Sequence, residues 1–192
     1  MRRVVKVGGS LLADRPRLRD LLAALAEGQH GPCVIVPGGG PDADAVRTAQ
    51  EVEGFSDADA HRRALDAMGR TGERFRAIES RLVPCRAPWD PAVNTATALL
   101  WDPVLLRGGH PDIPETWDVT SDSLALWLAT RMGAPACILV KSADAAPGLD
   151  AAALARTGLV DVAFPAFARS YEGTIAIWGP AGPAPVLDRR AA

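Results

Sequence analysis

Short unbroken apolar runs alternate along this chain with segments in which leucine or alanine returns every three or four positions. An unbroken run suits a strand buried on both faces, and the wider spacing puts apolar side chains on one face of a helix. Arg3–Val7 predicts a first strand, ending at Gly8-Gly9-Ser10, and Leu18, Leu21, Leu22 and Leu25 predict the helix that follows. Gly28 and Gly31-Pro32 stop that helix. Cys33–Pro37 predicts a second buried strand closed by Gly38-Gly39-Gly40, and Pro41 and Asp42 suit the first turn of a helix reaching about Val52. Asp57–Met68 predicts a helix, Gly69 to Gly72 its interruption, and Glu73–Leu82 a separate helix beyond. In the proline- and tryptophan-rich stretch from Val83 to Asp118, Thr95–Leu100 reads as a short helix and Val104-Leu105-Leu106 as a strand. Thr120 or Ser121 caps a helix through Arg131 whose inner stripe is Leu124, Leu128 and Met132. Ala136–Lys141 and Thr174–Trp178 predict two more strands, with a small helix at Ala151–Arg156 between them. Strands alternating with helices imply an α/β fold with a mainly parallel central sheet. The chain, residues 1–192, reads as a single domain without repeats or low-complexity tracts.

Composition narrows the function classes. Apolar residues make up 48%, enough for a substantial core, and the net charge is −2. That balance argues against general nucleic-acid binding, which calls for a basic excess, so the pairs Arg2-Arg3, Arg62-Arg63 and Arg189-Arg190 read as solvated surface. The three cysteines, Cys33, Cys85 and Cys137, are far apart and form no zinc-type cluster, which predicts a reducing, cytoplasmic setting. No signal-peptide core precedes the first strand, and no run is long enough to span a bilayer.

Only two lysines occur, Lys6 and Lys141, each beside an apolar strand-like run. Lysine is a compact, movable charge suited to phosphate neutralisation, and arginine serves the surface here. In a parallel sheet, ligands collect at the carboxyl ends of the strands. KVGGS, PGGGP and VKSADA are candidate strand-end turns, joined by the helix start at DVTSDS. Gly8, Gly9 and Ser10 offer backbone N–H groups to an anion, and Gly38, Gly39 and Gly40 do the same at the start of a helix. Neither turn is a GxxxxGK[ST] loop or a GxGxxG fingerprint. Asp122, in the first turn of its helix, can hold two ammonium groups in position or share a Mg²⁺ shell with ATP. His61 is read as a structural side chain or as a hydrogen-bond donor to an acceptor phosphate or amine. Trp89 and Trp117 are read as packing residues or as walls for a small organic substrate.

VVKVGGS, VIVPGGGPDADAVR, WDVTSDSLALWLA and CILVKSADA, in that order, resemble the amino acid kinases, whose fold is a three-layer sandwich around a mainly parallel sheet. The PGGGxxAD…AHxxAxxAM pattern and WDVTSDS resemble the small branch that includes (5-(aminomethyl)furan-3-yl)methyl phosphate kinase and the uridylate kinase-like proteins of methanopterin-type cofactor pathways. The resemblance implies ATP and Mg²⁺, a small-molecule phosphate acceptor, and a homo-oligomer. It implies Lys6 at the transferring phosphoryl group and Asp122 organising the cations. Gly8, Gly9, Ser10 and Lys141 would lie on the ATP phosphates. Gly38, Gly39, Gly40, His61, Thr120 and Ser121 would lie on the acceptor side, with Arg47, Arg62 and Arg63 as further candidates for an acceptor phosphate. No residue is assigned as a protein metal ligand. The nucleotide loop of the family commonly reads DVDG or KVDG, whereas here it is KSADAAPG and the chain after it is short. Two readings stay open on that ground. One is an ATP-dependent phosphotransferase acting on a phosphate monoester of one-carbon cofactor biosynthesis. The other is a catalytically inactive nucleotide- or oxoanion-binding protein of the same fold.

Overall fold

The computed structural model describes residues 1–90 and 96–186, so Arg189 and Arg190 lie outside the described residues. Seven strands form one sheet: β1 (Arg3–Val7), β2 (Cys33–Pro37), β3 (Val83–Cys85), β4 (Ala98–Trp101), β5 (Ala136–Val140), β6 (Thr174–Gly179) and β7 (Gly182–Pro185). Their spatial order is β3-β4-β2-β1-β5-β6-β7. The pairings are parallel except that of β7 on β6. Among the described residues, six α-helices pack around it: α1 (Arg15–Glu27), α2 (Gly40–Glu53), α3 (Asp57–Ile78), α4 (Ser121–Met132), α5 (Ala151–Arg156) and α6 (Phe164–Ser170). This is the expected α/β sandwich with a mainly parallel sheet.

The strands bury side chains on both faces. Val5, Val7, Cys33, Ile35, Ile138 and Val140 meet Leu18, Leu22 and Leu25 of α1 on one face. Val4, Val34, Val36, Cys137 and Leu139 meet Leu124, Leu126 and Leu128 of α4 on the other. Beyond α1 the first face runs into an open hollow of about 400 Å³ lined by Arg3, Ala136, Ile138, Ala176 and Trp178. The rim strand β7 carries Pro183 and Pro185.

Three sequence expectations fail. The helix expected to break at Gly69–Gly72 is one continuous helix, α3. A glycine inside a helix costs about 1 kcal/mol relative to alanine, and here α3 packs closely on the sheet: a Cβ added at Gly72 would sit in ordinary contact with Leu100 and Pro37 at 3.6 Å. The stretch read as a short helix at Thr95–Leu100 supplies β4 instead, because Ala98–Trp101 is buried throughout and pairs with β2 and β3. Thr95 itself lies outside the described residues. The stretch Val104–Leu106, read as a strand, belongs to a 3-10 turn (Pro103–Gly108) with Pro103 in its first position. The Asp102 carboxylate accepts the Val104 N–H at 3.1 Å and so opens that turn.

Candidate functional site

Strand connections diverge between β1 and β5: from β1 the chain moves to β2 on one side and later returns to β5 on the other. In an open parallel sheet, such a divergence leaves a crevice outside the carboxyl ends of the two strands. Both lysines stand there. Lys6 pairs with Leu139 in register, and Lys141 immediately follows β5. Side chains alternate faces along a strand, so Lys6 shares a face with Val4, and Lys141 continues the parity of Cys137 and Leu139. That is the face covered by α4.

The first turn of α4 places Asp122 between the two ammonium groups. Lys6 Nζ lies 2.8 Å from Oδ1, and Lys141 Nζ donates to Oδ2 at 2.6 Å. All three side chains are almost wholly withdrawn from solvent, with relative exposures of 7%, 6% and 12% for Lys6, Asp122 and Lys141. Burial alone would raise the Asp122 pKa, but the two lysines outweigh it and hold the carboxyl below its ordinary range. Burial, reinforced by the neighbouring charge of Lys6, brings the Lys141 ammonium down to about 8, with Asp122 opposing. The cluster carries two positive charges and one negative, and its surplus of one faces a cavity.

That cavity measures about 480 Å³ and opens at the carboxyl ends of the strands. Lys6, Lys141, Gly8, Gly9, Ser10, Gly38, Gly39, Gly40, His61, Thr120 and Ser121 all line it. The structure thus gathers both lysines, both glycine turns, Ser10, His61, Thr120 and Ser121 around one space, with Asp122 beneath its floor. The carboxyl group divides its two oxygens between the lysines, which is the first of the two arrangements expected for it.

The two glycine turns are locked together by their backbones. A Cβ on Gly9 would stand 2.3 Å from both the Cα and the N of Gly40, and one on Gly38 would stand 2.5 Å from the N of Gly9. Gly40 also has φ +57°, in the left-handed region that favours glycine. These glycines are therefore required by turn-to-turn contact, before any ligand arrives. Ser10 extends the connection: its hydroxyl lies 3.1 Å from that of Ser142 in the loop after β5.

The far wall comes from α2, α3 and the segment before α4. His61 is buried on α3, and burial lowers its pKa, which keeps the imidazole neutral at pH 7. Trp117 donates its Nε1–H to Gln50 Oε1 at 2.5 Å, and the Arg47 guanidinium lies 4.2 Å over its ring. Arg47 lines the cavity and forms no ion pair among the described residues. Arg62 and Arg63 do not join the wall. Arg62 pairs with Asp59 and Glu115, and Arg63 pairs with Glu53 and covers Phe55. Trp89 also lies elsewhere, edge-on to Trp127.

Sequence reasoning passed over Asp161 and Arg17. Asp161 accepts hydrogen bonds from the first turn of α4. Arg17 donates to the backbone oxygens of Lys141 and Trp178 at 2.9 and 3.3 Å, holding the ends of β5 and β6. Neither belongs to a local motif, and their partners lie far away in the chain.

Comparisons with known proteins bear on the fold and its family. The amino acid kinase family model matches residues 1–79. Over 147 residues, 73% of the chain, the sequence is 29% identical to (5-(aminomethyl)furan-3-yl)methyl phosphate kinase of Methanocaldococcus jannaschii, and the match spans 66% of that relative's length. Uridylate kinase of Archaeoglobus fulgidus superposes with a TM-score of 0.61 at 18% identity, covering 92% of this chain and 90% of that one. UMP kinase of Ureaplasma parvum superposes with a TM-score of 0.64 at 13% identity, covering 96% and 92%. Aspartate kinase of Synechocystis gives a TM-score of 0.65 at 13% identity, covering 97% of this chain and 40% of the other. The N-terminal family match, the curated relative and the shared sheet architecture together make this chain similar to the amino acid kinases.

Proposed function

We propose that this protein is a small-molecule kinase that transfers the γ-phosphoryl group of ATP to a phosphate monoester. The observation that carries the reading is the Lys6–Asp122–Lys141 cluster, two buried ammonium groups on one carboxylate, at the floor of a cavity bounded by both glycine turns. Phosphoryl transfer asks little covalent chemistry of the protein; alignment and charge neutralisation supply the rate. An acceptor phosphate oxygen attacks the γ-phosphorus while the bond to the β–γ bridging oxygen breaks, and ADP leaves with that electron pair. The acceptor oxygen is already anionic, so the step needs no strong general base. Lys6 and Lys141 offset the charge spreading over the transferring group, and Asp122 keeps the ammoniums from repelling each other out of place. Mg²⁺ enters as the counter-ion of the ATP phosphates.

Lys6 and Lys141 face the phosphoryl group, with Gly8, Gly9, Ser10 and Lys141 on the ATP side. Gly38, Gly39, Gly40, His61, Thr120 and Ser121 lie on the acceptor side, where Arg47 supplies a charge for the acceptor's own phosphate. The relative's name makes (5-(aminomethyl)furan-3-yl)methyl phosphate the first acceptor to try, and one-carbon cofactor biosynthesis the setting. The test is an ADP-release assay with ATP and Mg²⁺ over that compound, UMP and a panel of other phosphomonoesters. Turnover on at least one supports the reading. Tight ATP binding without turnover on any of them supports a nucleotide-binding protein instead. The loop KSADAAPG between β5 and α5, which departs from the family's DVDG or KVDG, favours that second reading.

A further inference from the structure

The helix that carries Asp122 does not cap itself. Ser56 caps α3 and Asp150 caps α5, each accepting an N–H three residues on. Thr120 stands at the same position before α4, yet its side chain makes no capping bond. The acceptor comes instead from Asp161, beyond α5. Its Oδ2 accepts the Thr120 N–H at 2.9 Å, the Thr120 hydroxyl at 2.8 Å and the Ser123 N–H at 3.0 Å. Its Oδ1 accepts the Ser123 hydroxyl. A further bond, Ala163 N–H to Asp118 O at 2.9 Å, joins the same two segments. Four donors from residues flanking Asp122 thus converge on one carboxylate from a distant part of the chain.

We infer that Asp161 is a positioning residue for phosphoryl transfer: by gripping Thr120 and Ser123 it fixes where Asp122 meets the two lysines. Helix starts fray when their N–H groups lack acceptors, and a small displacement of a catalytic group costs far more than the lost bond itself. The Thr120 hydroxyl spends its proton on Asp161, so toward a ligand in the cavity it acts only as an acceptor. The arrangement also gives the short C-terminal part of the chain a task on the acceptor side.

The kinetic consequence rests on the phosphotransfer reading; the positional one does not. With only two lysines in the chain, a protein labelled with ¹³C and ¹⁵N in lysine alone reports on Lys6 and Lys141 directly. In Asp161→Ala, both lysine side-chain signals should move toward those of exposed lysine, and acylation of both amines should quicken about tenfold or more. Asp161→Asn should stay near the wild type, because its amide oxygen can take the three Oδ2 donors while its NH₂ donates to the Ser123 hydroxyl. Should Asp161→Ala fail to fold, Ser123→Ala, which deletes one donor, should give a smaller shift of the same sign. Unmoved lysine signals in a folded Asp161→Ala, or in Ser123→Ala when the former does not fold, would overturn the inference. On an accepted phosphomonoester, Asp161→Ala should lower kcat about 10- to 100-fold with the KM for ATP within about threefold, and Asn should restore it. Equal kcat in wild type and Asp161→Ala would also overturn it. Absence of turnover in the wild type would sink the phosphotransfer reading and leave the lysine signals to decide on Asp161.

Discussion

On the β1–β2 side of the cavity two glycine turns touch backbone to backbone, whereas on the β5 side a single loop, packed on Gly179 at Ala143 and Asp144, reaches the rest of the site mainly through side chains. Gly9 and Gly40 have no room for even a methyl group between them. The loop from Lys141 to Asp150 is held by the Arg17 guanidinium, by the contact of Ser142 with Ser10, and by the Asp144 carboxylate, which accepts the Ala181 N–H at 2.8 Å. Backbone contacts have no slack: they either fit or collide. Side-chain ties can lengthen, re-aim or be replaced by another residue. The first side is therefore expected to be preorganised and intolerant of substitution, and the second adjustable.

Replacing lysines probes both sides at once and should give the largest effects. Lys6→Ala is expected to lower kcat about 10²- to 10³-fold, the size seen when one charge-stabilising donor is removed, in a protein whose circular dichroism is unchanged. Lys141→Ala should raise the KM for ATP more than that for the acceptor; the reverse would exchange the two sides.

Next come the glycines. Gly9→Ala must push Gly40 aside, and should cost about 3 kcal/mol in urea unfolding, the upper range for overpacking. Gly148, at φ +76° with nothing within 4 Å of an added Cβ, should lose only about 1 kcal/mol as alanine, from left-handed strain. Equal losses at the two sites would erase the contrast between interlocked and adjustable sides.

A pH profile sharpens the account of Lys141. Its folded pKa of about 8 lies below its ordinary value of 10.5. If the charged form is required, kcat/KM falls as pH rises through about 8. Lys141→Arg, which stays charged, should abolish that limb even where it lowers the rate. The stability sign is opposite. Above pH 8 the unfolded chain holds a proton that the folded one has released, so this residue's contribution to stability rises with pH from about 8 to 10.5. Asp122 has the usual acid-side behaviour: its folded pKa is lowered, so its contribution is present at neutral pH and lost as pH falls through that value.

The smallest effects separate the arginines. Arg47→Ala should raise the acceptor KM about tenfold, one charge-assisted contact's worth. Arg62→Ala breaks two surface ion pairs and should change stability by less than about 1 kcal/mol and KM not at all.

What was readable in the sequence follows the range of the interactions. Strand parity places Lys6 and Lys141 on one face, and a helix-start carboxylate between two strand-end lysines needs only local patterns to be seen. The tie from Asp161 to Thr120 and Ser123 spans about forty positions with no motif around Asp161, and no propensity announces it. The continuity of α3 was hidden for a related reason. Gly69 and Gly72 look like a break until Leu100 and Pro37 are seen beneath them. Ala98–Trp101 reads equally well as helix or strand because so short an apolar run carries no period.

The rim strand β7 has a consequence for assembly. Val186 N–H bonds inward to Ile175 O at 3.0 Å, and strand alternation turns Pro183 and Pro185 outward. Proline has no N–H, so that border lacks the donors an incoming strand would need. A second copy of the chain cannot prolong the sheet there. If the protein self-associates, the copies meet elsewhere on the molecule.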